Sequence, residues 1–316
     1  MTWFARRVGT AVLLIWLVAS IVFLAIRLVP GDPAELLLSQ GGVAPDPAAV
    51  AELHEQLGLD RPLLTQYIDN LSHLVHGDLG RSLQDDSPVA AEIARRLPRT
   101  LELIGAAALF AVLTGIPAGL VAATRRGGWF DRLLLAESAL ALAVPVFVLG
   151  TLMVLLFAQT LHWVPAGGYA PLARDPVRHL ILLSMPALTI GAGLGATVFR
   201  MTRASVLDVA QRDFVRTARA KGVAPHRILL HHVLRNALLP VVTVLALHLG
   251  TLLGGTVLVE YVFNYPGLSG LLVDAVNARD YPAVQGVVLV ISVLFVTINL
   301  GVDLLYGVLD PRVRRT

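Results

Sequence analysis

The chain has 316 residues, of which 56% are hydrophobic and only 15% charged, with a mean hydropathy of +0.72. An ordinary soluble domain carries about 45–50% apolar and about 25% charged residues, so the composition excludes a soluble globule, a disordered chain and a disulfide scaffold and indicates an integral membrane protein. Cysteine is absent, which removes thiolate metal sites and cysteine nucleophiles. Lys221 is the single lysine and lies between Ala220 and Gly222, so a P-loop, Gly-x-x-x-x-Gly-Lys-Ser/Thr, cannot be present; any ATP that drives this protein is hydrolysed on another chain.

A membrane-spanning helix needs about 20 mostly apolar residues. Six stretches meet this: Val8–Val29, Leu101–Ala123, Leu133–Leu161, Leu180–Val198, Ala237–Phe263 and Val284–Leu305. The apolar run of the first, Ala11–Ile26, is longer than the ~7–15 residues of a signal peptide, and Arg27-Leu28-Val29-Pro30 is a poor cleavage site, so residues 1–29 read as a retained helix. The insert at residues 30–100 is too long for a linker. Asp46-Pro47 and Ser87-Pro88 each read as an N-cap followed by proline at the first helical position, with Gly58 as a helix stop. Leu64, Tyr67, Ile68, Leu71, Leu74 and Val75 keep helical spacing, and the insert is acidic, with eleven acids against five arginines.

Within the later spans, Pro117, Pro145, Pro186 and Pro240 are expected to interrupt or kink their helices. Gly191-x-x-x-Gly195 and Gly250-x-x-x-Gly254 offer small surfaces for close helix contact. Glu102, Glu137 and Asp303 lie near span ends, where snorkelling or helix pairing is expected. His248 is the ionisable side chain near the middle of the fifth span, and two roles are open to it: a satisfied structural imidazole or a residue of a solute pathway. The segment at residues 200–236 is polar, basic and helical up to Lys221; Gly222 stops that helix, Pro225 starts the next, and a second short helix leads to Arg235-Asn236. Such a pair suits anionic headgroups or the docking of a soluble partner. With the N-terminus inside, the inner segments hold 16 Lys and Arg against 3 in the two short outer loops, which puts both termini in the cytoplasm. The net charge of +3 is therefore a topology signal, with no nucleic-acid partner implied.

Phe214-Val215-Arg216-Thr217-Ala218-Arg219-Ala220-Lys221-Gly222, continuing to His232-Val233-Leu234-Arg235-Asn236, resembles the cytoplasmic EAA loop of binding-protein-dependent ABC importers. The version is that of the first permease of the dipeptide/oligopeptide/nickel branch. Gly77-Asp78-Leu79-Gly80-Arg81-Ser82, Leu97-Pro98-Arg99-Thr100-Leu101-Glu102-Leu103, Val262-Phe263-Asn264-Tyr265-Pro266-Gly267-Leu268, Arg279-Asp280-Tyr281-Pro282, Asp303-Leu304-Leu305-Tyr306 and Leu309-Asp310-Pro311-Arg312 match the same branch in order along the chain. Arg216-Thr217-Ala218 stands where the general motif has Glu-Ala-Ala, and Arg235 where it has proline.

The resemblance implies an all-α permease of the type I importer fold with six spans, bound in a bacterial inner membrane and forming half of a pathway that works by alternating access. It implies a small outer helical insert at 30–100, a permease core at 101–306 with the coupling loop 200–236, and a cytoplasmic tail at 307–316. It implies four kinds of partner: a second, paralogous permease, two cytoplasmic ATPases that carry ATP and Mg, an extracytoplasmic solute-binding protein and the lipid bilayer. It implies no cofactor on this chain and no chemistry of its own. Phe214, Val215, Arg216, Thr217, Ala218, Arg219, Ala220, Lys221, Gly222, Val223 and Pro225 would form the coupling helix and turn, with Phe214, Val215 and Val223 as its apolar contacts to an ATPase. His248, Gly250 and Gly254 would line the pathway. Di- and oligopeptides are the default solute; nickel or a nickel chelate, glutathione and oligosaccharides are the alternatives. A rhomboid-like protease at Gly267-Leu268-Ser269-Gly270 lacks a later histidine to act as base, His231-His232 and the His73/His76 pair lack the further ligands of a metal site, and a secondary transporter would need midplane acids in repeated halves.

Overall fold

The computed structural model describes residues 2–28, 35, 46–57 and 60–309. Gly58, most of the start of the insert, and the tail from Asp310 lie outside the described residues, as does the side chain of Asp303. The helices are α1 (Thr2–Leu28), α2 (Pro47–Leu57), α3 (Leu63–Val75), α4 (Val89–Thr124), α5 (Trp129–Ala143), α6 (Val146–Met153, running into a π turn at Val154–Thr160), α7 (Pro176–Val209), α8 (Asp213–Ala220), α9 (Pro225–Arg227), α10 (Arg235–Val262), α11 (Leu268–Asn277) and α12 (Tyr281–Leu309). The all-α class agrees with the sequence; the described residues hold one isolated bridge, Arg81 to Pro88, and no strand. Among the described residues five helices are long and apolar enough to cross a membrane, and α5 with α6 makes a sixth span if the bent pair counts as one.

Three boundaries differ from expectation. The third span is broken: α5 and α6 diverge by 104°. At the break Val144 is extended at φ −81°, ψ 124°, the conformation that a residue before proline favours. Pro117, Pro186 and Pro240, by contrast, sit inside continuous helices, since a membrane helix tolerates one lost backbone bond when neighbours cover it. The expected second short helix after Pro225 is not separate: α9 passes through a π segment at Ile228–Leu234 straight into α10 with helical dihedrals at both junctions. At Ser87-Pro88 the helix begins one residue later than predicted, with the Ala91 and Glu92 amides donating to the Pro88 carbonyl, and α4 then runs on through the second span. Asp46, in contrast, does cap α2, its carboxylate accepting from the Ala48 amide at 3.0 Å.

The chain forms two compact units. The first takes Met1–Pro98 with Gly267–Leu300, so the outer insert shares its unit with α1, α11 and most of α12. Its core is Val89, Ile93, Leu268, Ala275, Ala283 and Val287. Tyr67 of α3 sets its ring against Phe23 and its hydroxyl 2.6 Å from Ser20, and Arg27 lies over Phe23 and donates to Gln66. The Ser82 hydroxyl donates to the buried Asp280 at 2.5 Å, and Gln84 donates to the Ala278 carbonyl. The Gly80 amide, donating to Asp78, is the main reason the Asp78 carboxyl is held below its ordinary range.

The second unit, Arg99–Pro266 with Gly301–Thr316, is organised around α7. Asp175 caps α7 by accepting from the Arg178 amide, with Pro176 next. Gly191 and Gly195 meet Ala107, Phe110, Ala111 and Thr114 of α4, while Gly115 and Gly119 of α4 lie under Gly195, Val198, Phe199 and Thr202 of α7. Small residues on both sides let the two backbones approach, which is how helices associate where lipid supplies no hydrophobic drive. A Cβ on Gly119 would stand 2.7 Å from the Phe199 carbonyl.

Candidate functional site

Helix α8 is short, so local rules decide its ends. Asp213 stands in its first turn and Arg219 in its last, each matched to the helix dipole. At the C-terminus the Val223 amide donates to Ala218 and the Gly222 amide to Arg219, a Schellman closure. That closure needs a left-handed residue, and Gly222 supplies it at φ +73°. Pro225 then opens α9 at its first position.

Val215 and Ala218, three apart, share one face. Both are buried against Ala123, Val206, Val209, Ile228, Val233 and Ala237, with Val223 packed beside them. Complete burial of a valine is worth roughly 1.5–3 kcal/mol, so this face holds α8 onto its own chain. Two of the three apolar contacts expected for an ATPase, Val215 and Val223, are therefore turned inward. Phe214 alone of the three is exposed, at 43%. Arg216, Thr217, Arg219, Ala220, Lys221 and Pro225 are exposed around it. Arg216 pairs with Asp213 at 3.5 Å, both largely in solvent, and such a pair adds at most about 1 kcal/mol. The result is a rigid helix with an inner apolar anchor and an outer face of one aromatic ring and three cations.

The other candidate residues divide. His248 lines a cavity of about 230 Å³ with residues of α5, α6 and α7. Its ring makes no hydrogen bond to a described residue; Thr251 donates to the His248 carbonyl, not to the ring. Gly250 is buried, and Gly254 is exposed with open space where a Cβ would stand, so no described residue of this chain packs on Gly254 as α4 packs on Gly191 and Gly195. The glycine of α10 that lines the cavity is the next residue, Gly255.

Sequence reasoning missed three polar pairings in this unit. Asp131 takes a two-pronged bond from Arg203, at 2.6 and 2.9 Å, plus the Gly127 amide at 2.8 Å; Arg203 is thus tied inside the chain and is not a free headgroup ligand. The Thr100 hydroxyl donates to the buried Glu260 at 2.7 Å. His179, also buried, lies 2.7 Å from the Ala170 carbonyl and 2.9 Å from Glu102, so Glu102 is a helix-pairing group. Burial first, and the Glu102 carboxylate second, push the neighbouring Tyr265 phenol well up, which keeps it a donor. Glu260 was legible as an acid inside an apolar span, and Gly115-x-x-x-Gly119 as the same pattern found on α7; the other partners stand far apart in sequence.

The family model for the binding-protein-dependent transport system inner membrane component matches residues 115–315, and that for the N-terminal part of such components matches residues 1–104. The chain belongs to this permease family. The permease is 40% identical to the di/tripeptide transport system permease protein DppB of Pseudomonas aeruginosa, over 99% of both chains. It is 43% identical to the glutathione transport system permease protein GsiC of Escherichia coli K12, over 95% of this chain and 94% of that one. The Salmonella typhimurium protein of the same name is 44% identical over 94% of each. The permease is accordingly a multi-pass membrane subunit of an ABC importer, and not a catalytic chain.

Proposed function

We propose that the permease carries short peptides across the bacterial inner membrane by alternating access, with both termini cytoplasmic. It pairs with a second, related permease to enclose the pathway, receives solute from an extracytoplasmic binding protein, and is driven by two cytoplasmic ATPases that hold ATP and Mg. Helix α8 is the coupling element, and its two faces carry this reading: Val215 and Ala218 fix it to the membrane helices, while Phe214, Arg216, Arg219 and Lys221 are exposed on the side open to a partner. A push on the outer face is then delivered to α4, α7 and α10 through the buried face, without loss in a flexible loop. Phe214 is the apolar contact to the ATPase, and His248 with its cavity belongs to the pathway. Short peptides as solute are supported by relatives named for di- and tripeptides and for glutathione, itself a tripeptide.

The test is Gly222→Pro. Proline cannot adopt a positive φ and has no N–H for the Arg219 carbonyl, so the closure opens and α8 is re-aimed. Peptide uptake is expected to fall more than tenfold while the permease remains inserted. Uptake at the normal rate in the variant would remove α8 from the coupling role. Uptake of neither dipeptides nor glutathione by the intact transporter would remove the peptide reading.

A further inference from the structure

The break before Pro145 has a consequence beyond topology. Because α5 and α6 diverge by 104°, they cannot both lie flat on α7, and a wedge opens between their arms. Ala141 and Leu142 come from one arm, Val146 and Leu149 from the other; Ile190 and Leu194 of α7 form the floor. The cavity of about 230 Å³ exceeds the ~150 Å³ that suffices for benzene in an engineered apolar cavity. Its two threonines have no donor left for a ligand and can only accept, since the Thr189 hydroxyl donates to the Met185 carbonyl and that of Thr197 to the Gly193 carbonyl. Among the lining side chains the His248 ring is the one that, as a neutral imidazole, presents both a donor and an acceptor.

Resting on the peptide reading above, we infer that this cavity is a side-chain subsite of the permease itself: it takes an apolar side chain of the passing peptide, up to the size of phenylalanine, while His248 bonds the adjoining peptide group. The occupant follows from the lining. A lipid acyl chain would fill the wedge but leave the imidazole without a partner, at the cost of any polar group shut away from water. A helix of the second permease has its backbone carbonyls engaged in its own ladder. An apolar side chain beside a peptide N–H and C=O presents the required pattern, and repeats it at every residue. The permease would then add a size limit of its own to whatever the binding protein selects.

Gly193 and Gly255 give the means of testing this, because both line the cavity and both have open space where a Cβ would stand. Gly193→Leu and Gly255→Leu fill the wedge from opposite walls. Maximal uptake of Ala-Ala and of Ala-Phe is measured for the assembled transporter in proteoliposomes, each variant relative to the unaltered protein, so that capture by the binding protein cancels. Both variants should lose Ala-Phe uptake about tenfold or more, the scale on which an apolar pocket rejects misfit groups, and keep most Ala-Ala uptake. His248→Ala should lower both peptides alike, roughly fivefold for one hydrogen bond. Equal losses of both peptides in the filled variants overturn the subsite, and if the second permease also fails to co-purify, the cavity holds a partner helix. Unchanged uptake of both points to lipid and overturns it equally. If the unaltered transporter moves neither dipeptide, the peptide reading falls first and the subsite with it.

Discussion

Helices α1 and α7 invert the rule for soluble proteins. Helix α1 carries the most apolar window of the chain, yet 11% of that window is buried within the protein; α7 is among the least apolar of the long helices, yet 67% of its window is buried. Lipid is as good a solvent for leucine as another leucine is, so the most apolar side chains gain nothing by facing protein. What gains from the interior is small or polar: Gly191 and Gly195, which let a neighbour approach, and Thr189 and His179, whose polar atoms find partners there that lipid cannot offer. Hydropathy finds a span, therefore, but does not rank spans by their place in the bundle.

The sharpest way to break this contrast is at the polar contacts of α7. Asp131→Leu leaves the partly buried Arg203 without its two-pronged partner, and should cost about 3 kcal/mol, the upper end for removing a charged hydrogen-bond partner. The loss should show as an earlier unfolding midpoint in an SDS titration, and Asp131→Leu with Arg203→Leu should recover much of it. If the double variant is no better than the single, the pair is not what holds α5 to α7. Next in size is Gly119→Leu, whose side chain meets the α7 backbone and not a movable side chain. Overpacking of this kind costs about 1–3 kcal/mol, again read from the SDS midpoint, and an unchanged midpoint would mean that α4 and α7 do not cross there. Smallest is Leu13→Ala on α1, where the side chain is 57% exposed and lipid replaces what is removed; less than about 0.5 kcal/mol is expected. A larger loss confined to the assembled transporter would identify this face of α1 as a contact with the second permease.

Much of the candidate site was legible because it is local. Gly222 and Pro225 mark the end of α8 and the start of α9 through bonds that reach five residues at most, and Asp46 caps its helix from two residues away. The split of α8 into faces was legible only in part. Helical spacing puts Val215 and Ala218 on one side of α8, but nothing in the segment says whether that side meets its own chain or an ATPase. Phe214 and Val215 are neighbours of similar apolar character; one is exposed and the other fully buried because of what α7 and α10 bring beneath them.

The sequence alone determined the membrane class, the all-α fold, the helix ends written by Gly222, Pro225 and Asp46, and the family to which the motifs belong, because each depends on composition or on residues close together in the chain. The tertiary structure alone decided which polar groups meet, such as Asp131 with Arg203 across 72 residues and Thr100 with Glu260 across 160. It also decided that, of four prolines in the spans, only Pro145 breaks its helix, and that the break opens a cavity onto His248. Proline removes one backbone bond wherever it stands; whether the helix runs on depends on the neighbours packed around it, and those come from elsewhere in the chain.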